Sequence, residues 1–214
     1  MKITDLVKTK KGRYSVFVNG EFVFSVSVDQ ILMDRIFIGK EVTPDDLKEM
    51  LATSQKMYAK QKAVNLLSAR SYTRKGLGDK LAAYADEDVV EEILDYFEKM
   101  GYIDDRDYAV RKANDLYKIK KYGVNRVKMT LIQKGIDKSL AEEIAKEQEP
   151  DSVNDDLYSV LTKKYSKAID SIGDRQEFYK QKSKIMSGLV RMGYDFDDIN
   201  SALQRYLEEN ELYF

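Results

Sequence analysis

Carboxylates are the side chains here best placed to do bond-making chemistry. Two dense groups occur, Asp104-Asp105-x-Asp107 and Asp195-x-Asp197-Asp198. Such groups could hold a divalent magnesium ion for phosphodiester cleavage. The same spacing also suits helix N-termini, where an Asp accepts from orphan backbone N–H groups and its charge faces the positive end of the helix dipole. Each group directly follows a glycine-containing helix stop, so capping is the preferred reading. The chain has no histidine and no cysteine. It therefore lacks the commonest general base, the thiol nucleophile, disulfides and most transition-metal ligand sets. With no phosphate-cradling glycine loop or calcium-loop spacing either, we expect no catalytic residues, no cofactor, no metal and no enzyme.

The cations form a different pattern. Among 36 Lys+Arg and 37 Asp+Glu the net charge is only −1, but the signs are segregated. From Lys56 to Tyr84 there are 7 basic residues and 1 acidic, and from Ala85 to Ala109 there are 2 and 10. Val110–Lys138 holds 9 basic and 2 acidic, and Ser139–Thr162 holds 1 and 7. Lys163–Arg191 has 8 and 3, and Met192–Phe214 has 1 and 6. The first 55 residues are balanced at 8 each. Blocks of this kind can present positive surfaces to a polyanion and acidic surfaces to a protein partner. The bland alternative is a solvated face with pairing between basic and acidic helices, worth about 0–1 kcal/mol per exposed pair.

The candidate contact residues are Arg70, Arg74, Lys75 and Lys80 in the first basic block. In the second they are Arg111, Lys118, Lys120, Lys121, Arg126, Lys128 and Lys134. In the third they are Lys182, Lys184 and Arg191, with Lys163, Lys164, Lys167 and Lys180 nearby. Val124, Val127 and Leu131 make an apolar stripe, which turns Arg126 and Lys128 toward solvent or a partner. Tyr117 and Tyr122 flank the lysine cluster, and at least one is expected in the core.

Positioning these cations requires helices. Two prolines, eleven glycines and 43% hydrophobic residues describe a mainly helical soluble protein. The first 28 residues read instead as strands. Arg13–Val18 and Glu21–Val28 flank Asn19-Gly20, a strong type I′ hairpin signal. Thr43-Pro44-Asp45-Asp46 then opens a long helix. Downstream, Phe97-x-x-x-Gly101-Tyr102, Leu131-x-x-x-Gly135-Ile136 and Leu189-x-x-x-Gly193-Tyr194 share one helix-ending grammar. Asp104, Asp137 and Asp195 follow as caps. Val90, Ile93, Leu94 and Phe97 have the same offsets as Ile199, Ala202, Leu203 and Tyr206. The expected architecture is an N-terminal β-hairpin region with a connecting helix (1–55) and three tandem three-helix repeats (56–103, 104–150, 151–214), in an elongated or curved array. A single compact bundle with accidental repetition is the alternative.

At these residues the chain resembles the RecX family, small bacterial regulators of the RecA recombinase. Arg70-Ser71-Tyr72-Thr73-Arg74-Lys75-Gly76-Leu77-Gly78-Asp79-Lys80-Leu81 is similar to the family's first signature. Gly101-Tyr102-Ile103-Asp104-Asp105 with Tyr108-Ala109 is similar to the next. Gly123, Val127, Leu131 and Lys134-Gly135-Ile136 resemble a third. Gly76 replaces the usual Glu three residues after the cap, which removes the reciprocal capping box, and Thr130 replaces a common acid. The resemblance implies a non-enzymatic regulator that binds RecA filaments on single-stranded DNA and limits strand exchange and coprotease activity. A direct DNA-binding protein built from helix-turn-helix-like units is the runner-up, and a helical scaffold without nucleic acid a third class. No apolar stretch is long enough to cross a membrane and no signal peptide is evident. A cytoplasmic monomer is expected.

Overall fold

The computed structural model describes residues 1–212. The chain divides into two compact units, one formed by Met1–Ser71 with Leu77–Ile103, the other by Tyr72–Gly76 with the chain from Asp104 onward.

The first unit begins with an antiparallel sheet, β1 (Ile3–Lys8), β2 (Tyr14–Val18) and β3 (Glu21–Val26), in that spatial order. Asn19 and Gly20 both take positive φ, 50° and 88°, as a type I′ turn demands. The expected hairpin is thus present, widened by β1 into three strands. Its second strand ends at Val26 rather than Val28, because the Ser27 hydroxyl accepts from the Gln30 amide and starts helix α1 (Val28–Met33). Ile3, Val16, Phe24 and Val26 form a small core with Ile36, Val42 and Met50.

Helix α2 (Pro44–Ala69) opens with a reciprocal box. The Asp46 amide donates to Thr43 Oγ1 at 3.1 Å, and the Thr43 amide donates to Asp46 Oδ2 at 2.8 Å. It runs unbroken across position 55. Helices α3 (Arg74–Leu81) and α4 (Glu87–Lys99) follow, and Val90, Ile93, Leu94 and Phe97 are buried as their spacing predicts.

The second unit holds α5 (Asp105–Lys118), α6 (Val124–Gln133) and α7 (Lys138–Glu147), then α8 (Val153–Asp170), α9 (Arg175–Arg191) and α10 (Phe196–Glu209). Each triplet has its own core. Ala109, Ala113, Leu116, Tyr117, Val127 and Leu131 anchor the first. Leu157, Leu161, Ile185, Leu189, Ile199 and Leu203 anchor the second. Tyr117 is the core tyrosine of its pair, 2% exposed, and its hydroxyl donates to the Ala145 carbonyl at 2.6 Å.

The three glycine stops behave alike locally. Gly101, Gly135 and Gly193 have φ of 74°, 91° and 94°. After each, the next amide returns to the carbonyl five residues back, as in Tyr102→Phe97, Ile136→Leu131 and Tyr194→Leu189 at 2.8, 3.2 and 3.3 Å. That is the Schellman closure. Their places in the repeats differ, however. Gly101 ends the third helix of its triplet, whereas Gly135 and Gly193 end second helices.

Candidate functional site

The repeats of the second unit meet through those second-helix glycines. The Gly123 amide donates to the Met192 carbonyl at 2.9 Å, and the Asn125 amide donates to the Gly193 carbonyl at 3.2 Å. Asn125 Nδ2 donates to Asp195 Oδ1 at 2.7 Å, and the Tyr194 hydroxyl donates to the Lys121 carbonyl at 2.8 Å. A Cβ on Gly123 would fall 2.4 Å from the Gly193 oxygen, and one on Gly193 2.2 Å from the Arg126 amide. Only glycine permits this approach of two backbones.

The segment Tyr72–Gly76 meets Gly135 in the same manner. Thr73 is buried, its hydroxyl donating to the Lys134 carbonyl at 2.6 Å and accepting from the Gly76 amide at 3.0 Å. A Cβ on Gly135 would lie 2.5 Å from Lys75 Cβ. The capping hydroxyl thus keeps its role despite Gly76, and Thr130 turns inward to its own helix, donating to the Arg126 carbonyl at 2.7 Å.

These joints place several candidate cations. Lys75 crosses Gly135 with its side chain, and Arg126 crosses Gly193 with its backbone and Cβ. Lys118 ends α5, Lys120 occupies the turn to α6, and Arg126 lies in the first turn of α6, so one end of the triplet gathers them. Arg191, the last residue of α9, lies two residues before Gly193. Arg126 stands over the Tyr122 ring at 5.8 Å, a cation–π contact.

The other candidates are not brought together there. Lys121 is engaged by Asp156 at 2.7 Å and has φ of 51°. Arg111 pairs with Asp107 one turn back at 2.6 Å. Lys128 faces the Glu142 carboxylate, which it helps to hold below the ordinary Glu range, after the larger effect of the Lys146 hydrogen bond. Lys182 and Lys184 sit nearer the middle of α9, and Lys182 lines a small groove with Phe178 and Leu203. Arg70 and Lys80 belong to the first unit. Arg74 opens α3 with its amide donating to Asp105 Oδ1 at 2.7 Å.

Pairing between helices of the kind the bland alternative calls for is also present. Lys56 of α2 reaches Glu92 of α4 at 2.5 Å, and Arg106 of α5 reaches Glu143 and Glu147 of α7 at 2.8 and 3.1 Å. Among the described residues, Lys118, Lys120 and Arg126 have no ion pair, which separates them from that internal neutralisation.

The acidic groups do structural work. Asp104 accepts from the Asp107 amide at 2.8 Å and Asp137 from the Ser139 amide at 2.8 Å. Asp195 departs from expectation. It occupies the cap position of α10 without a capping bond, and its Oδ1 accepts from Asn125 instead. Among the described residues no cluster of three or more Asp and Glu could hold a metal ion. No helix among them is long and apolar enough to cross a membrane.

Fold and site together define a helical-repeat protein, in which three-helix modules of the second unit are joined through a glycine contact beside a cationic turn. Family models describe these segments directly. Residues 1–43 match the regulatory protein RecX N-terminal domain, 59–97 the RecX first three-helix domain and 104–144 the RecX second three-helix domain. The chain belongs to the RecX family. It is 26% identical to the regulatory protein RecX of Clostridioides difficile over 98% of this chain and 97% of that one. It is 29% identical to that of Clostridium botulinum over 95% of each. A crystal structure of a regulatory protein RecX superposes with a TM-score of 0.66 at 21% identity, covering 95% of this chain and 98% of that one. RecX from Lactobacillus salivarius gives 0.62 at 23%, covering 72% and 97%.

The sequence did not single out Asn125, Tyr194 or Thr73 as joint residues. Their signal was the glycine each one faces across the joint.

Proposed function

We propose that this protein binds RecA filaments on single-stranded DNA and limits strand exchange and coprotease activity, without catalysis of its own. Membership of the RecX family, with relatives that align along nearly the whole chain, supports a role in regulating RecA. The observation that carries the contact is the unpaired cationic set Lys118, Lys120 and Arg126 at the α5–α6 turn, held in place by the Gly123–Gly193 joint. The reading divides the chain into 1–55, 56–103, 104–150 and 151–214. Each repeat contributes a weak contact, and joined modules raise one another's effective concentration. Basic turns meet DNA phosphate or acidic RecA surface, and acidic third helices meet basic RecA loops.

The test is strand exchange by purified RecA with the Lys118→Glu, Lys120→Glu, Arg126→Glu variant. Three exposed contacts at about 0.5 kcal/mol each predict an inhibitory concentration raised about tenfold, with an unchanged melting temperature. Undiminished inhibition would sink the assignment of this turn. Tighter binding to bare DNA than to RecA-coated DNA at matched salt would favour the direct DNA-binding reading.

A further inference from the structure

The N-terminal unit carries a cleft of about 550 Å³, within the range of roughly 300–1,000 Å³ that ligand sites occupy. One wall is cationic. Between Leu6 and Gly20 the chain has four cations, Lys8, Lys10, Lys11 and Arg13, and no acid. Lys10, Lys11 and Arg13 all line the cleft.

Aromatic residues line the cleft too. Tyr58 of α2 and Tyr84, in the turn after α3, meet edge to face with centroids 5.5 Å apart. Tyr84 is 37% exposed. Among the described residues that line the cleft, none is a carboxylate.

Arg13 is held in place rather than free. Its guanidinium donates to the Ser25 carbonyl and, at 2.8 Å, to Ser54 Oγ, and it stands 4.7 Å from the Tyr58 centroid. Ser54 is buried and donates in turn to the Ser25 carbonyl at 2.5 Å. Lys62 Nζ lies 5.2 and 5.5 Å from the Tyr58 and Tyr84 centroids. Neutral groups therefore fix a cation beside the Tyr58 ring, and Lys10 and Lys11 line the same cleft with no carboxylate among its lining residues. Such an arrangement repels itself until an anion arrives. An acidic peptide would satisfy the charges and leave the rings unused, whereas a nucleotide brings a phosphate and a flat base together.

We propose that this cleft binds single-stranded nucleic acid, with phosphates on Lys10, Lys11 and Arg13 and a base against the Tyr58–Tyr84 pair. The site shares no residue with the α5–α6 turn and stands whether or not the RecA reading does.

The experiment is an anisotropy titration of the full chain at several salt concentrations. The probes are labelled oligothymidylate, an abasic strand of equal length and an oligoglutamate peptide. At about −0.7 in log affinity per log salt for each single-strand phosphate, the Lys10→Glu, Lys11→Glu pair should make the slope shallower by about 1.4. Both lysines occupy an exposed turn, so folding is not at stake. Tyr84→Leu should weaken oligothymidylate by about tenfold and leave the abasic strand unchanged. These differences should persist in an Arg126→Glu background, which separates the cleft from the α5–α6 turn. An unchanged slope, equal losses on both strands, oligoglutamate binding as tight as oligothymidylate, or no saturable binding would each overturn the proposal.

Discussion

Gly123→Ala isolates the joint between α6 and α9 from ordinary backbone strain. Gly123 has φ of −76° and ψ of 165°, a conformation alanine adopts freely. The entire cost therefore comes from the facing chain, where the new Cβ would sit 2.4 Å from the Gly193 oxygen and 2.6 Å from the Tyr194 nitrogen. Relief requires the two repeats to part by about 1 Å, since carbon and oxygen tolerate little below ordinary contact. Parting breaks the backbone bonds Gly123→Met192 and Asn125→Gly193, at 2.9 and 3.2 Å, and loosens the Asn125–Asp195 and Tyr194–Lys121 bonds. At about 1 kcal/mol net per bond, two lost and two weakened come to about 3 kcal/mol. The stiffer unfolded chain returns about 0.4–1 kcal/mol. A net loss of about 2–3 kcal/mol is expected in urea unfolding followed by circular dichroism, with faster hydrogen exchange at the Gly123 and Asn125 amides. Gly101→Ala is the control, because its φ is 74° but nothing lies within 4 Å of the added carbon. It should cost about 1–2 kcal/mol of left-handed strain and leave exchange at Gly123 and Asn125 untouched. Wild-type stability and wild-type protection in Gly123→Ala would refute the joint as described.

Thr73→Val keeps the side-chain shape and removes the hydroxyl that serves Gly76 and Lys134; urea unfolding should show a loss of about 1–2 kcal/mol, largely restored by Thr73→Ser. The Tyr194 phenol is pushed up to about 12, chiefly by burial and secondarily by Asp156. The folded state therefore holds its proton more tightly than the unfolded chain, whose tyrosines ionise near 10. Its contribution is complete below pH 10 and lost as pH rises through 12. Tyr194→Phe should flatten stability across that window, with ionisation followed by absorbance near 295 nm.

Local grammar was the legible part of this chain. Asn19-Gly20, Thr43-Pro44-Asp45-Asp46 and the three glycine stops each solve a problem confined to a few residues, so their types disclose them. The apolar offsets from Val90 and Ile199 disclosed their helix faces for the same reason. Strand β1 was harder to place, because Ile3–Lys8 alternates weakly and gains its identity by pairing with β2. Asp195 misled for a related reason. It has the type and place of a cap, but Asn125, seventy residues away, claims its oxygen. Lys121 and Arg111 likewise read as free cations until partners from Asp156 and Asp107 were in view. The basic wall of the N-terminal cleft was hidden by averaging, since 8 cations and 8 acids over the first 55 residues mask the acid-free run from Leu6 to Gly20.

The glycine stops show why one motif can carry two meanings. Gly101, Gly135 and Gly193 all supply left-handed φ, which alone would permit replacement at the modest cost of strain. Gly135 and Gly193 also receive the helix start that precedes them in the repeat order, Thr73–Lys75 in one case and Gly123–Arg126 in the other. A cation is set across each contact. The repeat unit is therefore defined by its joint as much as by its three helices: a helix beginning, a facing glycine and a basic side chain at the edge. This explains how Gly76 and Thr130 can depart from the family pattern without loss of the arrangement. Neither forms the facing surface, and each still satisfies its local hydrogen bond. A change at Gly193 should disturb both the stacking of the second unit's two repeats and the placement of Arg126, and one at Gly135 the placement of Lys75, whereas the same change at Gly101 should disturb only a turn.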